Sequence, residues 1–225
     1  MFLVSYPFSE KELTRFDYGD YLLRKSISGT ALAYAGNWRC TGKPRSLSVS
    51  QLAKVCQQQV VDVYRSWGFD QDVQAVVSAL TIGEKTDLTP ELKAMYSAAG
   101  VSHVLALSGL HVGILSCILL WLFYPLTYLK HGRKILAFLV VCLLWLFAFI
   151  SGLSSSVVRA VVMYSLYTFA SFCSEERFSG MHSLVLAAFL MLIYNPFFLF
   201  DISFQLSFTA VFSILAFYPL FSRWL

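Results

Sequence analysis

Residues 135–153 read ILAFLVVCLLWLFAFISGL, nineteen consecutive positions without a charged side chain. A helix rises 1.5 Å per residue, so this run reaches about 28 Å, close to the ~30 Å hydrocarbon thickness of a bilayer. Outward from it lie four more apolar segments: Val104 to Leu129 before it, and Val157 to Cys173, Met181 to Phe200 and Ile202 to Leu220 after it. Unpaired backbone amides cannot face lipid, so each is expected to be helical. Only Asp201 separates the last two segments, and Asn195-Pro196 precedes it, which predicts a tight hairpin or a pair of re-entrant helices. The expected fold class is all-α: a polytopic helical membrane protein with about five transmembrane helices.

Composition agrees. Of 225 residues, 57% are apolar and 13% charged, against about 45–50% and about 25% in soluble domains. These values argue against a disordered chain, a basic nucleic-acid-binding domain and a disulfide scaffold. Residues 1–100 hold 11 Lys/Arg and 10 Asp/Glu, and residues 101–225 hold 6 and 3. The formal charge of +4 therefore comes mostly from basic residues around the apolar half. Five widely spaced cysteines, three of them in apolar runs (Cys117, Cys142, Cys173), read as small hydrophobes rather than disulfide partners or zinc ligands. The opening MFLVSYPFSEKELTRFD has neither the basic start nor the apolar core of a signal peptide, so insertion is expected to rely on the later spans.

The loop after the first span, KHGRK (Lys130 to Lys134), is the most basic of the apolar half, which places it in the cytoplasm and residues 1–103 outside. Upstream, three regions follow: a β-rich unit over residues 1–47, amphipathic or interfacial helices over 48–100, and the transmembrane part over 101–225. Ser48 with Gln51 forms a capping-box pattern, and Leu52, Val55, Cys56, Gln59, Val60 and Val63 recur at helical spacing. A second helix is predicted over Asp70 to Leu80, ending near Ile82-Gly83. A third starts at Thr89-Pro90-Glu91, with Thr as cap and Pro in the first turn, and runs to Gly100.

Polar residues inside apolar helices are costly and mark bundle interiors or wet pathways. The richest stretch is Gly100-Val-Ser-His103-Val-Leu-Ala-Leu-Ser108-Gly109-Leu-His111-Val-Gly113. Gly109 and Gly113 form a small-xxx-small pair that admits a close neighbour, and Ser108 can bond back to a carbonyl one turn earlier. Ser108 and His111, three apart, are expected on one helical face, but a hydrolytic site also needs an orienting carboxylate and an oxyanion hole, and Ala106 breaks the nucleophile-elbow pattern. His103 and His111 lie about 12 Å apart along a continuous helix, so no metal and no cofactor is expected. Arg159, a few residues inside the third span, either snorkels to the interface or faces a hydrated path. Ser154 to Ser156 can offer helix N-terminal amides to an anion. Asp201 is placed as an N-terminal cap and Gln205, one turn deeper, as an interhelical hydrogen-bonding group.

The order of these motifs resembles the ComEC-type competence proteins, bacterial inner-membrane DNA-internalisation channels. The resemblance rests on Ala79-Leu-Thr-Ile-Gly-Glu-Lys-Thr-Asp-Leu-Thr-Pro-Glu-Leu92, on the Gly100 to Gly113 stretch, on Gly152 through Ser156 to Arg159-Ala, and on Asn195-Pro196 followed by Asp201-Ile-Ser-Phe-Gln205-Leu-Ser-Phe. It covers roughly residues 70–215. Phe16-Asp-Tyr-Gly-Asp-Tyr-Leu-Leu-Arg-Lys resembles the end of the family's extracytoplasmic OB-like domain, which makes residues 1–47 its C-terminal remnant.

The resemblance implies movement of single-stranded DNA across the bacterial cytoplasmic membrane during natural transformation. DNA-receptor and helicase/ATPase proteins would be its partners, and a homo-oligomer is compatible with it. His103, Ser108, Gly109, His111, Gly113, Arg159 and Gln205 are then expected to line the path or touch DNA. Most of the OB-like domain and the His-x-His-x-Asp-His nuclease domain of the family are missing, so the chain is expected to be a fragment without enzyme activity. The alternatives are a non-DNA polytopic transporter, a structural membrane subunit and, less favoured, an intramembrane Ser/His hydrolase.

Overall fold

The computed structural model describes residues 3–5, 30–32, 47–101, 107–173 and 180–222. The chain divides into two units, Met1–Ser46 and Leu47–Leu225. In the first, strands β1 (Leu3–Ser5) and β2 (Thr30–Leu32) pair antiparallel, with Val4 opposite Ala31. Two strands of three residues do not amount to a barrel, and the other residues on which the OB-like expectation falls lie outside those described.

The second unit holds, among the described residues, eight α-helices: α1 (Val49–Ser66), α2 (Gln71–Ile82), α3 (Pro90–Ala98), α4 (Gly109–Leu122), α5 (Gly132–Ile150), α6 (Ser155–Cys173), α7 (Gly180–Tyr194) and α8 (Ile202–Phe221). Local chemistry sets the ends of the first three, much as the residue types foretell. The Ser48 amide donates to Gln51 Oε1 at 2.9 Å, closing a capping box on α1. Asp70 accepts from the Gln71 amide at the start of α2. Thr89 Oγ1 accepts from the Leu92 amide at 3.2 Å, with Pro90 in the first turn of α3.

The face that α1 buries differs from the expected stripe. Ala53, Gln57 and Val61 are buried, whereas Leu52, Val55 and Val63 stay exposed. The reason is a polar lock against the hairpin of α5 and α6. Gln57, only 9% exposed, donates through Nε2 to the carbonyls of Ile82 (2.8 Å) and Ser151 (3.4 Å), tying three elements together. Gly152 lies beneath that amide in the left-handed region (φ 68°), where an added Cβ would come within 2.3 Å of Gln57 Oε1.

The main core runs along α5 as an i, i+4 row of Leu136, Val140, Leu144 and Ala148, packed with Leu107, Val112, Val157 and Val161 of α4, α6 and the segment before α4. Among the described residues, α5 (Gly132–Ile150) and α8 (Ile202–Pro219) are long and apolar enough to cross a membrane. The other three expected spans are helices that are shorter or more polar. Among the described residues of the first apolar segment, the α-helix runs from Gly109 to Leu122, 14 residues or about 21 Å, because Ser108 is extended and Pro125 turns the chain into a 3-10 helix over Tyr124–Tyr128. Helix α7 spans 15 residues and is likewise short. Helix α6 has 19 residues but carries Arg159 and several hydroxyl groups.

Helices α7 and α8 pack on each other as a hairpin, joined by a 3-10 turn over Pro196–Phe200. Asn195 Oδ1 receives the Phe197 amide at 3.0 Å, and Asp201 Oδ1 receives the Ser203 amide at 3.1 Å, the capping role expected of Asp201. The N-terminal ends of α4, α6 and α8 gather at one end of the bundle, since a Cβ on Gly109 would touch Ala160 (3.7 Å) and Arg159 reaches Ser203.

Candidate functional site: two clefts on either side of one helix

Helix α6 presents two faces. Residues 155, 158, 159 and 162 form one; residues 160, 163, 164 and 167 form another, roughly 140° away at 3.6 residues per turn. Each face opens on its own cleft.

On the first face lies Arg159, 3% exposed. Its Nη2 donates to the hydroxyls of Ser203 (2.6 Å), Ser156 (3.2 Å) and Ser207 (3.2 Å), and Nη1 stands 4.0 Å from Asp201 Oδ2. The guanidinium therefore does not snorkel. It is held inside the bundle by neutral hydroxyls from α6 and α8, with a carboxylate beyond hydrogen-bond distance. Nε is buried without a partner. The adjoining cleft, about 450 Å³, is walled by Trp145, Leu190, Tyr194, Phe198 and Phe204, with Ser155 and Arg159 as its polar members. Phe198 and Phe204 are near-parallel at 6.2 Å, and Trp145 is oriented by a bond from Nε1 to Ser165 Oγ (3.2 Å).

The second cleft, about 480 Å³, is bordered by Gly109, Gly113 and Gly180, by Tyr164 and Tyr167, and by Ser183. The expected small-residue pair is thus only partly a packing notch. Gly109 packs near Ala160, whereas a Cβ on Gly113 would meet nothing within 4 Å. The Ser183 hydroxyl is buried without a partner.

The remaining candidates lie elsewhere. Ser108 is not on a helical face with His111 but is the extended N-cap of α4 (φ −126°, ψ 172°). Its amide donates to His111 Nδ1 at 3.3 Å, and its Oγ lies 3.2 Å from the same nitrogen. An amide can only donate, so neutral His111 carries its proton on Nε2. The back-bond to a carbonyl foreseen for Ser108 is made instead by Ser116, whose Oγ donates to Gly113 O at 2.7 Å. Among the described residues, Gln205 bonds no other α-helix; its Nε2 donates to Leu199 O (2.7 Å) in the preceding 3-10 turn. His103 lies outside the described residues. The structure therefore does not gather His111, Arg159 and Gln205 around one opening.

Residue-type reasoning missed Ser203 and Ser207, whose i, i+4 spacing opposite the single intraspan Arg was the available signal. It also passed over Tyr164, Tyr167 and Ser183, which carry no such signal. In the Gly83 to Pro90 connector, burial pushes the Glu84 carboxyl up, but bonds from the Thr86 hydroxyl and the Thr86 and Lys85 amides, aided by Lys54, outweigh it and set its pKa below the ordinary glutamate value.

Among the described residues, two helices are long and apolar enough to cross a membrane, and beside them lie an internal arginine held by hydroxyls and a glycine-lined space. Residues 80–225 match the Competence protein family, and the chain belongs to it. It is 31% identical over 200 residues to ComE operon protein 3 of Bacillus subtilis (strain 168), covering 89% of this chain and 25% of that protein. It is 35% identical over 147 residues to an uncharacterized protein of Aquifex aeolicus (strain VF5), covering 65% of this chain and 34% of that one. The chain thus spans about a quarter to a third of the relatives it matches. No solved structure matches it.

Proposed function

We propose that these residues form part of a multi-pass channel that carries single-stranded DNA across the bacterial cytoplasmic membrane, with residues 1–103 on the extracytoplasmic side. The cleft between α4, α6, α7 and α8 carries this reading. Three glycines open the space, two tyrosines offer rings on which bases of any sequence can stack, and the buried Ser183 hydroxyl lacks a partner. The N-terminal ends of α4, α6 and α8, which bear partial positive charge, favour phosphate at the extracytoplasmic mouth. Few cations line the space, so contacts with the strand are weak and transient, which suits passage. The remainder of the relatives' length would supply further parts of the path, and receptor and helicase/ATPase partners would deliver DNA and energy. A homo-oligomer is compatible with this arrangement. No catalytic step is assigned, because His111 Nδ1, the atom that would take a serine proton, already accepts the Ser108 amide.

The test is photocrosslinking of labelled single-stranded DNA to the chain reconstituted in vesicles, with a photoreactive residue at Tyr167. A crosslink is expected, and Gly113→Trp should reduce it about tenfold or more by filling the path, since a fully seated aromatic excludes stacked bases worth ~1–3 kcal/mol each. Absence of a crosslink, or equal yield in the Gly113→Trp chain, would sink the DNA reading.

A further inference from the structure

The cleft on the Arg159 side is distinct from the glycine-lined space, and its chemistry points to a different occupant. Its wall is aromatic and aliphatic, and its only charged member is Arg159, accompanied by the Ser155 hydroxyl at the N-terminus of a 19-residue helix. The Arg159 side chain is 97% removed from solvent, yet Nε has no acceptor and Nη1 lies 4.0 Å from the nearest carboxylate oxygen. A buried charged donor without an acceptor is costly, and a phosphate oxygen is among the acceptors that a guanidinium fits well. A polynucleotide suits this cleft poorly: each nucleotide adds another phosphate and polar base edges, for which the wall has no partner. A single phosphodiester joined to hydrocarbon suits it well. The outer rim continues into exposed apolar residues, Leu190 and the 85% exposed Tyr194, so a chain leaving the cleft enters the same surroundings as the outside of α7.

We infer that this cleft is a binding site for an anionic phospholipid, with its phosphate at Arg159 and Ser155 and one acyl chain along Trp145, Phe198 and Phe204. This rests on the membrane placement proposed above, though not on DNA passage. The Asp201 carboxylate, 4.0 Å from Nη1, repels a dianionic headgroup more strongly than a monoanionic one, which favours a phosphatidylglycerol-type monoanion.

Trp145 in the wall makes the site readable. A chain with Trp38, Trp67, Trp121 and Trp224 changed to Phe is reconstituted in phosphatidylcholine vesicles, with brominated phosphatidylglycerol or brominated phosphatidylcholine as quencher at equal mole fraction. Phosphatidylglycerol is expected to quench as though preferred about fivefold, the worth of one basic side chain near an anionic headgroup. Arg159→Gln should bring the two lipids to parity, and so should Leu190→Phe, which fills the wall of the cleft and leaves the buried polar cluster untouched. Parity in the unmodified cleft, or a preference that survives both changes, overturns the site. Loss of the preference on adding inorganic phosphate shows that only the anion is held and overturns the lipid assignment; loss on adding a short oligothymidylate overturns it in favour of nucleic acid. A chain that fails to float with the vesicles overturns the membrane placement itself, a result distinct from parity.

Discussion

Gly152 is where one side chain's absence holds three elements in place. Any other residue there meets the unfavourable left-handed conformation and a contact of 2.3 Å with Gln57 Oε1. Gly152→Ala should therefore destabilise the protein by about 1–3 kcal/mol, read as a lower unfolding midpoint in detergent. Combined with Gln57→Ala it should cost less than the sum of the two single changes, because the clash disappears while the strained φ and the lost Gln57 bonds remain; strict additivity in this cycle would contradict the proposed contact. Glu84 supplies a pH prediction. Its folded-state pKa is lowered, so its contribution is complete above the ordinary glutamate value of about 4.3 and is lost as pH falls through the lowered one. The unfolding midpoint of Glu84→Gln should fall below that of the unchanged chain at neutral pH and converge with it in acid.

At the level of elements, Arg159 ties α6 to the start of α8 mainly through hydroxyls rather than through an ion pair. Ser203→Ala removes its shortest bond, and a hydrogen bond to a charged donor is worth about 1.5–3 kcal/mol. Asp201→Asn keeps an oxygen able to cap Ser203 and weakens only a 4.0 Å interaction. Ser203→Ala is therefore expected to lower the unfolding midpoint more than Asp201→Asn does, and the reverse order would mean that the carboxylate dominates. Much at this scale was legible in residue types: the capping residues Ser48, Thr89 and Asp201 each stand where their helices begin, and the second helix starts beside Asp70 as expected. The buried face of α1 was not, because small Ala53 and bonding Gln57 face the bundle while more hydrophobic Leu52 and Val55 do not. Hydrophobic periodicity cannot see a polar residue whose value lies in two carbonyls distant in sequence.

For the whole molecule, the two clefts make separable demands. They lie on different faces of α6 and share no lining residue. Filling the glycine-lined cleft with Gly113→Phe, which adds no second tryptophan, should reduce crosslinking to DNA while leaving the phospholipid preference intact, and Leu190→Phe should do the opposite. The double variant should show both losses without synergy, since sites without shared partners act independently. Gly113→Ala offers a control. Its Cβ enters open space, so stability should rise by about 0.5–1 kcal/mol through helix propensity alone.

Composition, the uninterrupted apolar runs and the family motifs determined by themselves that this is a helical protein of the competence family, because hydrophobicity and capping act over short stretches of chain. Tertiary structure alone decided that the polar residues of those runs part company: glycines to one cleft, Arg159 to another, Ser108 and His111 to a helix cap, Gln205 to a local turn. The direction in which a polar group points depends on helix rotation and on partners far along the chain, and no local pattern encodes either.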